Sequence, residues 1–157
     1  MILSTQTEVG SERFGDAKNI RMICEAGFDA LDYSMFCLRD DDTVLNTSDY
    51  RRYVLELKKI VEGYGKFFNQ AHAPFPSYRV GDDTYNKVIL ERIKRSIEIA
   101  GILGVKNIVV HPTYFVNDSQ RNLELNAEFY NAFIPLCKEY NIKVACENMF
   151  GWDSRRD

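Results

Sequence analysis

The chain alternates, from one end to the other, between short apolar runs and longer stretches of helical periodicity. Each short run has the length of a β-strand and is almost entirely apolar or small, which suits a parallel strand covered on both faces. In the longer stretches apolar residues recur every three or four positions. The predicted strands are residues 2–6, 28–33, 67–71, 107–110 and 142–146. The order βαβαβαβαβ predicts an α/β fold with a parallel sheet.

Four helices are predicted in the intervening segments, at residues 16–26, 48–64, 83–103 and about 118–141. Asp16 and Ser48 are candidate N-caps, because their side-chain oxygens can accept bonds from the free amides of a first helical turn. Glycine residues follow the first three helices and favour their termination. No linker or low-complexity tract interrupts the pattern, which predicts one domain over residues 1–157.

Two architectures agree with this order. A doubly wound open sheet would be complete in 157 residues, whereas a (β/α)8 barrel needs about 250. A nucleotide-binding doubly wound sheet carries a GxGxxG turn after its first strand, and residues 7–15 contain no such motif. The sequence also ends in a loop shortly after the fifth predicted strand. These features favour the first five strands and four helices of a (β/α)8 barrel.

The net charge of the chain restricts the class of partner, and its cysteine content restricts the cellular compartment. Twenty basic residues against 23 acidic ones give a net charge of −3, which argues against a protein that mainly grips nucleic acid. No segment approaches the ~20 apolar residues of a membrane span, and no signal peptide is recognisable. The four cysteines form no CxxC pair and are predicted to be reduced thiols, mainly in the core. We therefore expect a cytoplasmic protein.

Three polar side chains occupy the same place after three successive strands. His72 follows the third strand, His111 follows the fourth, and Glu147 follows the fifth. Parallel α/β proteins place their active sites at this carboxyl edge. Imidazoles and a carboxylate are ordinary ligands of divalent metals. The alternative for each histidine is a hydrogen-bonded structural role, and for Glu147 a helix cap or an ion pair.

Further polar and aromatic residues are candidates for contact with substrate. Gln6 ends the first predicted strand, and Asp32 alternates with apolar neighbours near the end of the second. Asn148 directly follows Glu147 and can hydrogen-bond a polyol, while Trp152 can stack on a sugar ring. A buried structural carboxylate is the alternative for Asp32, and hydrophobic loop packing is the alternative for Trp152.

The ordered runs AHAPF at 71–75, VVHP at 109–112 and VACENM at 144–149 resemble the xylose isomerase-like TIM barrel superfamily. That superfamily contains sugar phosphate isomerases/epimerases and AP endonucleases of the endonuclease IV type. The resemblance covers nearly the whole chain and implies the N-terminal part of such a barrel. It implies that Glu147 is a metal ligand and a candidate base, and that His72 and His111 match zinc-binding histidines of the endonuclease branch. The cofactor implied is a divalent metal such as Mn, Mg, Co or Zn.

The resemblance and the acidic charge favour an isomerase or epimerase acting on a small sugar, sugar phosphate or sugar acid, by proton transfer next to a carbonyl. A zinc-dependent AP endonuclease-like hydrolase is one alternative. The other is a catalytically silent half-barrel that self-associates. The superfamily's further ligands, on strands six to eight, have no counterpart in this sequence, so we expect low activity and incomplete metal binding. Open edges on the first and fifth strands predict a homodimer.

Overall fold

The five predicted strands form one parallel sheet whose spatial order follows chain order. The computed structural model describes residues 1–113 and 119–147. Within these residues the strands are β1 (Ser4–Gln6), β2 (Ala30–Ser34), β3 (Phe67–His72), β4 (Asn107–Val110) and β5 (Lys143–Cys146). Every neighbouring pair is parallel, and the order is β1-β2-β3-β4-β5. A doubly wound sheet would reverse its strand order part-way, so this order confirms the partial barrel.

Six α-helices occupy the described connections, two more than the sequence predicted. They are α1 (Glu8–Phe14), α2 (Asp16–Glu25), α3 (Tyr50–Gly63), α4 (Asp83–Leu103), α5 (Ser119–Asn131) and α6 (Ile134–Tyr140). Two short 3-10 turns, Phe36–Arg39 and Val44–Asn46, lie between β2 and α3. The additional helix α1 fills the segment after β1, for which the sequence predicted no helix.

The predicted helix over 118–141 is wrong in its continuity. It consists of α5 and α6, separated at Ala132 and Phe133. Pro135 lies in the first turn of α6, where its missing N–H does no harm. Inside a continuous helix the same ring would remove one backbone hydrogen bond and clash with the preceding turn. The proline therefore fixes the start of a new helix.

The predicted N-caps are also wrong by one residue. Gly15 is the N-cap of α2, and Asp16 is instead its first residue. The Asp16 carboxylate accepts hydrogen bonds from the Tyr33 hydroxyl at 2.6 Å and the Tyr53 hydroxyl at 3.1 Å. It therefore ties α2 to β2 and α3. Asp49, not Ser48, precedes α3.

The two faces of the sheet differ in polarity. Leu31 and Tyr33 of β2 are fully buried in the core that the sheet shares with the helices. Between them Asp32 turns to the other side, where it hydrogen-bonds polar side chains of β3. Ser4 likewise donates a hydrogen bond to Asn69 at 2.8 Å. The inner face of the partial barrel is therefore largely polar, and not the apolar concavity that an unfilled barrel would present.

β5 is exposed, although its sequence predicted a buried strand. Three of its four residues are exposed, and only Val144 is half-buried against the core. It is the last strand of the sheet in the described part of the chain. The cysteine prediction is accordingly wrong for two residues: all four thiols are free, but Cys37 and Cys146 are exposed. No helix among the described residues has both the length and the apolar character to cross a membrane.

Candidate active site

A buried acid–histidine pair lies at the carboxyl ends of β2 and β3. The Nδ1 atom of His72 lies 2.9 Å from Oδ1 of Asp32, and both side chains are only 9% exposed. The other carboxylate oxygen of Asp32 accepts a hydrogen bond from Gln70 at 2.8 Å. Burying a carboxylate is costly unless it is paired and hydrogen-bonded. Asp32 meets that condition through His72 and Gln70.

Gln6 of β1 extends this pair into a chain of four polar side chains. Its amide nitrogen lies 3.3 Å from Nε2 of His72 and 3.4 Å from Nδ1. Gln6 pairs in register with Asp32, and Asp32 pairs in register with Gln70. The register of three neighbouring strands thus places Gln6, Asp32, Gln70 and His72 side by side on the inner face.

A second acid–histidine pair joins the ends of β4 and β5. Nε2 of His111 lies 2.9 Å from Oε2 of Glu147. The imidazole is 10% exposed and the carboxylate 44% exposed, so Glu147 is the member of the pair that solvent or a ligand reaches. Burial lowers the pKa of His111 below its usual value, and nearby His72 lowers it further, while Glu147 opposes both. Burial of His111 therefore favours its neutral form.

Aromatic rings hold the two pairs next to each other. The rings of His72 and His111 are 6.2 Å apart between centroids. Phe36 lies 6.0 Å from His72 and 6.1 Å from His111, and Phe75 lies 4.7 Å from His111. The two histidines thus share one partly apolar wall at the carboxyl edge.

The predicted ligands fit a divalent metal only in part. His111 and Glu147 place an imidazole nitrogen and an accessible carboxylate oxygen 2.9 Å apart, a nitrogen–oxygen pair suited to adjacent positions on one ion. His72 is engaged with Asp32, and no three His, Cys, Asp or Glu side chains within residues 1–113 and 119–147 are arranged to hold an ion. Nδ1 of His111 is buried and has no hydrogen-bond partner among the described residues. The described residues thus supply two candidate metal ligands, and a tightly bound divalent ion would need more.

The structure brings five of the seven predicted site residues to one edge. Gln6, Asp32, His72, His111 and Glu147 all lie there, but Asp32 contacts His72 and Gln70. Asn148 and Trp152 lie outside the described residues. Sequence reasoning missed Gln70, Phe36 and Phe75. Gln70 had a usable signal, because it stands two positions before His72 on the same strand, and alternate residues of a strand share a face.

Comparison with known proteins assigns the fold to a family. The family model described as xylose isomerase-like TIM barrel matches residues 20–156. The chain belongs to this family. The strand order and the clustering of polar residues at the carboxyl edge agree with membership. A comparison with curated protein sequences finds no significant match.

Several solved structures share the fold. A D-tagatose 3-epimerase-like protein superposes with a TM-score of 0.70 at 23% identity, over 97% of this chain and 54% of that one. A 3-keto-D-glucoside 4-epimerase from E. coli gives 0.64 at 16% identity, over 95% and 57%. A D-allulose 3-epimerase from Methylomonas sp. gives 0.62 at 12% identity, over 92% and 50%. The chain spans about half the length of these structures.

Proposed function

We propose that the protein is a divalent-metal-dependent isomerase or epimerase of a small sugar, sugar phosphate or sugar acid. The observation that carries the proposal is the His111–Glu147 pair at the carboxyl edge of a xylose isomerase-like barrel. The pair joins an accessible carboxylate to a desolvated imidazole whose pKa is lowered by its burial. The similar structures named as a D-tagatose 3-epimerase-like protein, a 3-keto-D-glucoside 4-epimerase and a D-allulose 3-epimerase support a carbohydrate substrate.

In this mechanism Glu147 would hold the metal, and its carboxylate would accept the proton next to the substrate carbonyl. Its exposure lets the substrate reach the carboxylate, and Nε2 of His111 orients the carboxylate when no metal is bound. With a metal bound, His111 would instead offer the lone pair of a neutral imidazole as a ligand. The bound metal would polarise the carbonyl and hydroxyl oxygens of the substrate.

The polar chain on β1, β2 and β3 lies beside this pair. Gln6 is exposed and carries an amide that can hydrogen-bond a sugar hydroxyl. Phe36 and Phe75 line the histidines and limit the access of water to the reacting carbon. The predicted roles of Asn148 as a hydrogen-bonding partner of a polyol and of Trp152 as a stacking surface remain part of the proposal.

We expect the 157-residue chain by itself to show little or no activity. Two donors bind a divalent ion weakly, and the described residues contain no three-ligand group. The decisive test is an assay of the protein expressed from its complete reading frame, with Mn²⁺ or Co²⁺ and a panel of ketoses and sugar phosphates. C-3 epimerisation or aldose–ketose interconversion that EDTA abolishes would support the proposal. Cleavage of abasic duplex DNA at comparable efficiency would instead support the nuclease alternative.

The 157-residue chain is expected to form a homodimer that covers its open sheet edge. β5 is exposed, and an unpaired edge strand is a template for another chain. In Ala145→Lys a charge enters the exposed strand, and we expect a shift toward monomer in size-exclusion chromatography with light scattering. Ala127→Lys places the same charge on an exposed position of α5 and should leave the dimer unchanged. A wild-type chain that is monomeric at micromolar concentration would contradict the prediction.

A further inference from the structure

We infer that Asp32 is a positioning residue that fixes His72 as its Nδ1–H tautomer and leaves Nε2 as a hydrogen-bond acceptor at the rim of the site. The importance of this role in catalysis rests on the proposed function. The test of the tautomer does not depend on that function. It changes the role of Asp32 from the predicted substrate contact to a group that acts through another residue. Asp32 lies behind the imidazole and is itself buried.

The contacts of Asp32 determine which nitrogen of His72 carries the proton. One carboxylate oxygen accepts a hydrogen bond from the Gln70 amide, and the other lies 2.9 Å from Nδ1 of His72. An ionised carboxylate only accepts hydrogen bonds. Nδ1 must therefore donate to Asp32, and in the neutral imidazole Nε2 is then left with a lone pair. Gln70 contributes by holding the carboxylate in place from its far side.

The Gln6 amide approaches the same ring. Its nitrogen is a donor and lies 3.3 Å from Nε2 and 3.4 Å from Nδ1 of His72, and of these two atoms the tautomer makes only Nε2 an acceptor. Gln6 is exposed, whereas Asp32 and His72 are buried. A substrate hydroxyl that displaces the exposed Gln6 side chain could therefore reach Nε2 while Asp32 keeps its contact with Nδ1.

The small number of histidines makes the inference testable by NMR. The chain contains only two histidines, so the imidazole nitrogens of His72 and His111 can be assigned with one variant, His111→Gln. Long-range ¹H–¹⁵N spectra distinguish protonated from unprotonated ring nitrogens. The measurement is made on the histidine-labelled, metal-free 157-residue chain at about pH 8.5, well above the ordinary imidazole pKa of about 6.5.

The wild-type chain is expected to show His72 with a protonated Nδ1 and an unprotonated Nε2. In Asp32→Asn the charge is lost and an amide N–H₂ can face Nδ1, so this single pattern should give way to the Nε2–H form or a mixture. Asp32→Leu, which removes all hydrogen bonding at a similar volume, should have the same effect. Asp42→Asn, at an exposed loop position, should leave the pattern unchanged. Backbone amide signals that stay unchanged away from the site would show that each variant is folded.

Two results would overturn the inference. One is an Nε2–H tautomer of His72 in the wild-type chain. The other is an unchanged Nδ1–H pattern in both Asp32→Asn and Asp32→Leu. Because the spectra need neither metal nor substrate, the inference can hold or fail whatever the outcome of the epimerase assay.

Discussion

Replacement of Glu147 by glutamine is expected to lower kcat/KM of the proposed isomerisation by about 10²–10⁴-fold, the usual contribution of a positioned acid–base group. Glutamine has nearly the same shape, and its carbonyl oxygen can still accept the bond from Nε2 of His111. It cannot take up a proton from carbon at neutral pH, and it is a weaker ligand because it carries no charge. The loss should therefore appear in kcat as well as in the affinity for Mn²⁺.

A matched control separates this effect from a general effect of removing a charge. Glu62→Gln changes an exposed residue near the end of α3, which leads into the amino end of β3 at the opposite edge of the sheet. Its kcat/KM should equal that of the wild-type protein from the complete reading frame. Wild-type kinetics in Glu147→Gln, with metal bound normally, would exclude Glu147 as ligand and base.

The metal-free protein offers a second readout of the same substitution. Burial lowers the pKa of His111, and the negative charge of Glu147 opposes that lowering. Removing the charge leaves the effect of burial unopposed, so the pKa of His111 should fall further in Glu147→Gln. A pKa of His111 that rises or stays constant in an NMR titration would show that the two side chains do not interact in solution.

Replacement of Ile97 by alanine is expected to lower the free energy of unfolding by about 2–5 kcal/mol. Ile97 is fully buried on α4, the longest helix described, which packs against α3, α6, β3 and β4. The substitution removes three buried carbon atoms and leaves a cavity that the surrounding strands and helices can only partly fill. Since native domains are stable by only about 5–15 kcal/mol, this loss is a large part of the total.

The same substitution at Ile134 is the control. Ile134 is the first residue of α6 and is 44% exposed, so Ile134→Ala should change the free energy of unfolding by about 0.5 kcal/mol or less. Urea unfolding followed by circular dichroism measures both variants, at one fixed protein concentration because association adds to apparent stability. Equal effects of the two substitutions would show that α4 does not pack on the sheet as described.

The order of elements and the position of the candidate site follow from local features of the sequence. Apolar runs of strand length alternate with helical periodicity, and a polar residue at the end of a parallel strand lies at the carboxyl edge whatever its neighbours are. His72, His111 and Glu147 could therefore be placed together without the structure. The family resemblance added the expectation of metal and sugar chemistry, which stays a proposal.

The partners of each site residue were decided only by the tertiary structure. β2 and β3 shift register between Leu31 and Asp32, so that Leu31 pairs with Phe68 but Asp32 pairs with Gln70. This irregularity brings Gln70 and His72 to the same side as Asp32, and a slip of one residue would turn them to the other face. No periodicity in the sequence encodes it, because it depends on how two strands distant in the chain fit each other. The burial of His111, which lowers its pKa, depends in the same way on what the folded chain places around it. The exposure of β5 does so too.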